Sequence, residues 1–197
     1  MLSDFLCKIM ATDYSYPQSP QLSRTLNTLA LAGICAVLLL AFVWQIAFND
    51  LPCPLCLLQR AAFAMIGIAL VLNVRFGPSP MHYGMIVISA LAGVVAAGRQ
   101  VLLHIAPSDA GYGPPFLGLH FYTWALFLFV AFLVYCGLML ILDRRYADQA
   151  IPRPVSKLAG AVMWLFFILV LGNMVSTMLE CGFGACPDDP VSYLWLS

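Results

Sequence analysis

The chain has 197 residues, of which 62% are hydrophobic and only 9% are charged. Soluble globular proteins carry roughly 45–50% apolar and about 25% charged residues, so this chain lacks the polar side chains needed to cover a water-exposed surface. Nine Lys and Arg balance nine Asp and Glu, which leaves no basic excess to attract nucleic acid. The composition therefore predicts an integral membrane protein.

Five apolar segments are each long enough to cross a hydrocarbon layer of about 30 Å, which takes about 20 helical residues. In chain order they are 26–48, 51–74, 84–106, 119–142 and 158–179. A membrane barrel would instead show alternating strands of about 10 residues. The predicted fold class is all-α integral membrane, with four transmembrane helices over 26–142 and a fifth transmembrane helix over 158–180.

The basic residues predict the orientation, because loops rich in Lys and Arg stay in the cytoplasm. Seven of the nine fall on one side of this topology: Lys8, Arg24, Arg75, Arg144, Arg145, Arg153 and Lys157. Acidic residues without basic ones occupy the other side: Asp50, Asp109, Glu180, Asp188 and Asp189. We therefore expect a cytoplasmic tail (1–25), a cytoplasmic basic loop (143–157) and an outer tail (181–197).

The seven cysteines divide into three single residues and two pairs. Cys7 lies in the N-terminal tail, whereas Cys35 and Cys136 lie inside spans, where free cysteine is commonly a small buried apolar residue. The other four all fall on the predicted outer face. They are Cys53 and Cys56 at the start of the second span, and Cys181 and Cys186 beyond the fifth.

The first pair has the features of a redox site. Pro54 suits the first turn of a helix, which places Cys56 in the opening turn, where the positive end of the helix dipole stabilises a thiolate. Arg60 follows four residues later and so lies one turn deeper on the same face. A purely structural disulfide between Cys53 and Cys56 is the alternative.

A second arginine, Arg99, lies inside the third span at a depth comparable to that of Arg60. An arginine inside a bilayer is costly unless it has an anionic or polar partner. Both arginines can face a polar head group bound between the helices, with Gln100 and His104 as further hydrogen-bonding groups. The alternative is that their side chains extend to the lipid head groups.

These residues resemble the DsbB family of bacterial inner-membrane proteins that make disulfide bonds. The resemblance rests on Pro-Cys-Pro-Leu-Cys-Leu-Leu-Gln-Arg at 52–60. It is supported by Ala-Gly-Arg-Gln-Val at 97–101 and by Phe-Leu-Gly-Leu at 116–119 followed by Trp124. It covers about residues 26–142.

The resemblance implies a four-helix bundle that oxidises a periplasmic thioredoxin-fold dithiol protein of the DsbA type. The two electrons pass to a membrane quinone, ubiquinone or menaquinone. Carried onto this chain, Cys56 is the sulfur that interacts with the quinone ring and Arg60 is the quinone-site arginine. Cys53 exchanges with a second cysteine pair, and Arg99, Gln100 and His104 are further candidates for quinone contacts.

The chain departs from the family at that second pair, which the family carries in the loop between the third and fourth spans. Here this loop, about 107–118, contains no cysteine. We expect Cys181 and Cys186, on a flexible and accessible tail, to act as the shuttle pair instead. The alternative is a structural disulfide that pins the tail, in which case Cys53 and Cys56 meet the partner directly.

Two other classes of function compete with this interpretation. Four cysteines on one face could bind a structural zinc ion, although paired cysteines in an oxidising compartment tend to form disulfides. An inward carrier of reducing equivalents would need a redox pair reachable from the cytoplasm, and Cys35 and Cys136 lie singly on different spans.

Overall fold

The structure is a computed structural model and describes residues 19–106, 108–143, 155–182, 184–187, 190 and 192–195. These residues form five α-helices: α1 (Ser19–Phe48), α2 (Pro54–Phe76), α3 (Pro80–Leu103), α4 (Phe121–Asp143) and α5 (Lys157–Cys181). All five are long and apolar enough to cross a membrane. The predicted all-helical membrane fold is confirmed.

The helix ends differ from the predicted spans, because hydropathy stops at polar residues whereas backbone hydrogen bonding continues through them. Residues 19–25, predicted as part of the cytoplasmic tail, form the first turns of α1. Cys181, predicted to lie beyond the fifth span, is the last residue of α5. The predictions for residues 1–18, including Cys7, and for most of the 143–157 loop fall outside the described residues.

The second helix has clear start and stop signals. Cys53 is its N-cap residue and Pro54 follows at the first helical position, where the missing N–H costs nothing. Gly77 ends the helix with φ of +104°, a value that favours glycine, and its N–H bonds to the Asn73 carbonyl oxygen at 3.0 Å. Pro78 then prevents the helix from continuing.

The first four helices form a bundle in which α2 packs against α1 and α3, and α3 packs against α4. The fifth helix packs mainly against α1 and also contacts α2. Gly67 of α2 makes that contact close, because the Phe166 ring of α5 fills the space that a β-carbon would need. The fifth helix is therefore a packed part of the bundle.

The outward faces of the bundle are apolar, as in proteins surrounded by lipid. Large side chains such as Ile88, Ile141 and Trp164 are more than two-thirds exposed. Since lipid tails are as apolar as these side chains, their exposure there carries no hydrophobic cost. The informative positions are therefore the buried polar ones, which concentrate at the two ends of the bundle.

One end holds a buried polar network. The Tyr83 hydroxyl donates to Asp143 Oδ2 at 2.6 Å and accepts from Asn27 Nδ2 at 2.9 Å. Ser23 Oγ donates to the same carboxylate oxygen, and Asn73 Nδ2 donates to Asn27 Oδ1. These bonds join α1, α2, α3 and α4, so the network fixes how the helices meet at this end. We call the other end, formed by the described residues among 49–53, 104–120 and 182–195, the cysteine end.

Candidate functional site

The first cysteine pair lies where α2 begins at the cysteine end. The two sulfurs are 2.6 Å apart and both thiols are free. The backbone N–H of Cys56 donates to Cys53 Sγ at 3.3 Å. An N-cap side chain faces the unpaired N–H groups of the first helical turn, so this turn donates directly to Cys53, whereas the sequence predicts its effect at Cys56.

These contacts make Cys53 the more acidic thiol of the reduced pair. A hydrogen bond from the Cys56 thiol, together with backbone N–H groups and the Gln100 amide, lowers the pKa of the Cys53 thiol to about 7. Each of these donors favours the anion over the neutral thiol. The reduced site therefore holds its negative charge on Cys53 near neutral pH.

The shifted pKa of Cys53 predicts how its reactivity depends on pH. Only the thiolate reacts with alkylating reagents, so the alkylation rate of Cys53 in the reduced protein should rise with pH and reach half its maximum at about 7. Iodoacetamide labelling across a pH series, read by peptide mass spectrometry, measures this midpoint. Gln100→Leu removes one donor and should move the midpoint upward. A midpoint near the ordinary thiol value of 9.0 contradicts the prediction.

Gln100 contacts both sulfurs from the neighbouring helix. Its side chain, only 1% exposed on α3, places Nε2 at 3.3 Å from Cys53 Sγ and 3.5 Å from Cys56 Sγ. Gln59 Nε2 donates to Gln100 Oε1 at 2.7 Å, which turns the amide N–H groups toward the sulfurs. Gln100 therefore belongs to the site because its amide contacts both cysteine sulfurs.

Arg60 is held by three neutral oxygens from two other helices. Its Nη1 donates to Gln45 Oε1 at 2.6 Å and to Asn173 Oδ1 at 3.3 Å, and its Nη2 donates to the Ala41 carbonyl oxygen at 3.1 Å. Gln45 in turn donates through Nε2 to Ser176 Oγ. The guanidinium is therefore pinned inside the bundle by α1 and α5 and does not extend to a lipid surface.

A cavity of about 270 Å³ lies between α1, α2, α4 and the loop at 104–120. Cys56, Gln59 and Arg60 line it from α2, and Asp50 lines it from the preceding loop. Most other walls are aromatic or aliphatic, among them Trp44, Phe63, Phe116, Phe121 and Trp124. Small-molecule sites combine such apolar walls with a few convergent polar groups and start at about 300 Å³, so this cavity suits a compact, flat ring.

Two predicted quinone contacts do not reach the cavity. Arg99 is exposed on α3, because successive helical residues point about 100° apart and Gln100 already faces inward. His104 follows the last turn of α3, where its Nδ1 lies 3.1 Å from Asp109 Oδ2 and its ring stacks on Tyr122. Tyr122 lines the cavity, whereas His104 and Arg99 do not. We therefore assign neither Arg99 nor His104 to the cavity.

The second cysteine pair forms a disulfide between Cys181 and Cys186. Cys181 is only 5% exposed and Cys186 is half-buried. The tail folds back over α5, where the Trp195 N–H donates to the Leu179 carbonyl oxygen and Gln45 Nε2 donates to the Tyr193 hydroxyl. The prediction that Cys181 is solvent-accessible is therefore wrong.

This disulfide also bears on the zinc alternative. Zinc binds thiolates, and the sulfurs of Cys181 and Cys186 are already joined to each other. Within the part of the chain that the structure describes, no three His, Cys, Asp or Glu side chains gather as a metal-binding group. The arrangement therefore favours two separate cysteine pairs over a four-cysteine ligand set.

Sequence reasoning missed several residues of this site, namely Gln45, Gln59, Asn173 and Glu180. The first three contact Arg60 or Gln100, and Glu180 is fully buried nearby. Their common signal is a polar side chain in or next to an otherwise apolar span. Polar residues at such positions are expensive and commonly functional.

The comparisons with known proteins point to one family. The family model for disulfide bond formation protein DsbB matches residues 23–112. Disulfide bond formation protein B of Pseudomonas syringae pv. tomato is 33% identical, over 63% of this chain and 94% of the relative. The chain belongs to the DsbB family. The Nitrosomonas eutropha DsbB protein is 30% identical, over 56% of this chain and 88% of its own length. No solved structure matches.

Membership in the DsbB family confirms the resemblance seen in the motifs. The chain is thus a membrane protein of disulfide bond formation and a disulfide-forming oxidoreductase. The family-model match contains Cys53, Cys56 and Arg60 but ends before α4. The α5 helix and the second cysteine pair lie outside that match.

Proposed function

We propose that this DsbB-family protein is a quinone-dependent thiol oxidase of the bacterial inner membrane. It reoxidises a periplasmic thioredoxin-fold dithiol protein of the DsbA type and passes the electrons to ubiquinone or menaquinone. The observation that carries the proposal is that Cys56 and Arg60 line one apolar cavity. A redox-active sulfur and a buried cation thus face the same space, which is large enough for a small ring.

The residues of the cavity fit a quinone head group. Its aromatic walls suit a flat ring, and the pinned Arg60 offers a cation that needs no reorganisation when negative charge develops beside it. When bound, a quinone supplies an acceptor for two electrons and two protons. The chain's own residues bring the sulfur to that acceptor and exclude water from it.

The positions of the four cysteines support an order of exchange. Cys186 is the less buried sulfur of its pair, so the partner's thiolate attacks there and Cys181 leaves. The Cys181 thiolate then attacks Cys53, and Cys56 leaves as the thiolate that faces the cavity. Gln100 stabilises each anion in turn, since its amide lies within 3.5 Å of both sulfurs. The partner's second thiolate then attacks the partner sulfur bound to Cys186, which releases the oxidised partner and the Cys186 thiolate. That thiolate attacks Cys181 in the Cys181–Cys53 disulfide and frees Cys53, so two electrons have passed from the partner to the Cys53–Cys56 pair.

The proposed orientation places the cysteine end in the periplasm. Arg24 near the start of α1, Arg75 in the last turn of α2 and Lys157 at the start of α5 all belong to the opposite end. Basic residues favour the cytoplasmic side. Cysteine pairs that form disulfides favour the oxidising periplasmic side, so the two arguments agree.

The direct test follows the redox state of the purified protein in detergent. Reduced protein mixed with oxidised quinone should form the Cys53–Cys56 disulfide and consume one quinone for each disulfide formed in the protein. Addition of a reduced DsbA-type protein should then give continuous turnover. If Cys53 and Cys56 remain reduced in the presence of quinone, the proposed function is wrong.

A second experiment tests the shuttle role of the C-terminal pair. We expect Cys181→Ser, Cys186→Ser and the double variant to reduce turnover with the DsbA-type partner to the background rate. Direct oxidation of Cys53 and Cys56 by quinone should stay within a few-fold of the unchanged protein. Loss of a disulfide typically costs about 2–5 kcal/mol, so thermal unfolding in detergent controls for misfolding. Unchanged turnover would show that the pair only pins the tail.

A further inference from the structure

Glu180 is a buried acid that the exchange sequence above does not use. The residue lies in the last turn of α5, directly before Cys181, and is 0% exposed. Neither carboxyl oxygen has a hydrogen-bond partner among the described residues. A buried carboxylate without such partners is costly, so its presence calls for a role beyond packing.

The surroundings of Glu180 connect it to the cysteine site. Its carboxyl group lies within electrostatic reach of Arg60 and Cys53. The other titratable groups that interact with Arg60 there are Cys56, Asp50 and Tyr193. Glu180 does not line the cavity, so it does not contact a ring bound there.

The local charges limit how many anions this region can hold. Glu180 interacts electrostatically with both Arg60 and Cys53, and the hydrogen bonds of Arg60 go to neutral oxygens of Gln45, Asn173 and Ala41. With the Cys53–Cys56 pair oxidised, the Glu180 carboxylate balances Arg60. When the pair is reduced and Cys53 ionises, a second buried anion would appear unless one group takes up a proton.

We propose that Glu180 is the proton acceptor of the Cys53 thiol, so that the two groups share one negative charge opposite Arg60. This inference rests on the proposed redox role of Cys53 and Cys56. The S–H bond of Cys53 breaks, an O–H bond forms on Glu180, and no electron moves in this step. Because no direct hydrogen bond joins the two groups, an intervening water molecule carries the proton.

Infrared difference spectroscopy tests this proton transfer on the full-length protein in detergent. Reduction by dithiothreitol, without quinone, should produce the C=O band of a protonated carboxyl group. The band should vanish in Glu180→Gln and in Cys53→Ala. It should persist in Asp50→Asn, the matched control that removes the other acid near Arg60. A band that survives in Glu180→Gln, or that is lost in Asp50→Asn, overturns the proposal.

A second readout uses the alkylation midpoint of Cys53. Glu180→Gln removes the competing anion, so the Cys53 thiolate should form at lower pH, by about one pH unit for a neighbouring charge. The substitution is isosteric but removes the counterion of the buried Arg60, so thermal unfolding in detergent checks that the variant remains folded. An unchanged midpoint overturns the inference. Neither readout involves quinone, so failure of the quinone assay in the unchanged protein separately identifies failure of the proposed function.

Discussion

Cys56→Ser should abolish the oxidation of the protein by quinone. Cys56 is the only cysteine among the described residues that line the cavity, and its sulfur lies 2.6 Å from that of Cys53. Serine keeps nearly the same volume, so the helix start and the cavity should persist. A hydroxyl group cannot form a disulfide, and the loss should therefore exceed about 10³-fold, as for the removal of a catalytic nucleophile.

The assay for Cys56→Ser follows quinone absorbance after mixing with reduced protein. Cys136→Ala is the matched control, because Cys136 is a buried free cysteine on α4 that does not line the cavity. This variant should keep its rate within a few-fold. In Cys56→Ser, Cys53 can still form a mixed disulfide with Cys181, which peptide mass spectrometry under non-reducing conditions should detect. Residual quinone reduction at a tenth of the normal rate would show that a group other than Cys56 reacts with quinone.

Arg60→Met should raise the quinone concentration needed for half-maximal rate by about 10- to 100-fold. A hydrogen bond to a charged group contributes about 1.5–3 kcal/mol, and each 1.4 kcal/mol changes affinity about tenfold. Methionine retains most of the side-chain length but neither the charge nor the donors. The maximal rate should change less than the concentration dependence, because the cysteine pair itself remains in place.

Arg99→Met provides the matched control for this experiment. Both substitutions remove an arginine from inside a predicted span, but Arg99 is exposed on α3 and does not line the cavity. The concentration dependence of Arg99→Met should equal that of the unchanged protein. An effect of Arg99→Met as large as that of Arg60→Met would contradict this assignment and indicate that Arg99 contacts the bound quinone.

The sequence was sufficient for the parts of this protein that depend on short stretches of chain. Long apolar segments predicted five membrane-crossing helices, and the structure contains them. Cys53, Cys56 and Arg60 lie within eight residues of one another. Their relative placement follows from the geometry of a single helix start, so the spacing alone predicted that they would share a site.

Helix ends were predicted less well. Hydropathy placed the first span from residue 26, whereas α1 begins at Ser19. It also placed Cys181 outside the fifth helix, whereas the residue completes its last turn and is buried. Polar residues continue a helix wherever their backbone groups find partners, and apolar content does not measure that.

Only the tertiary structure decided which side chains meet across helices. Arg99 and Gln100 are neighbours in sequence with similar polarity, yet Gln100 contacts the cysteines and Arg99 faces outward. Likewise, Asn173 of α5 reaches Arg60 although 113 residues separate them. A helix has the same local geometry whichever face it turns inward. That rotation is set by packing against helices far away in the chain, so no local pattern could supply it.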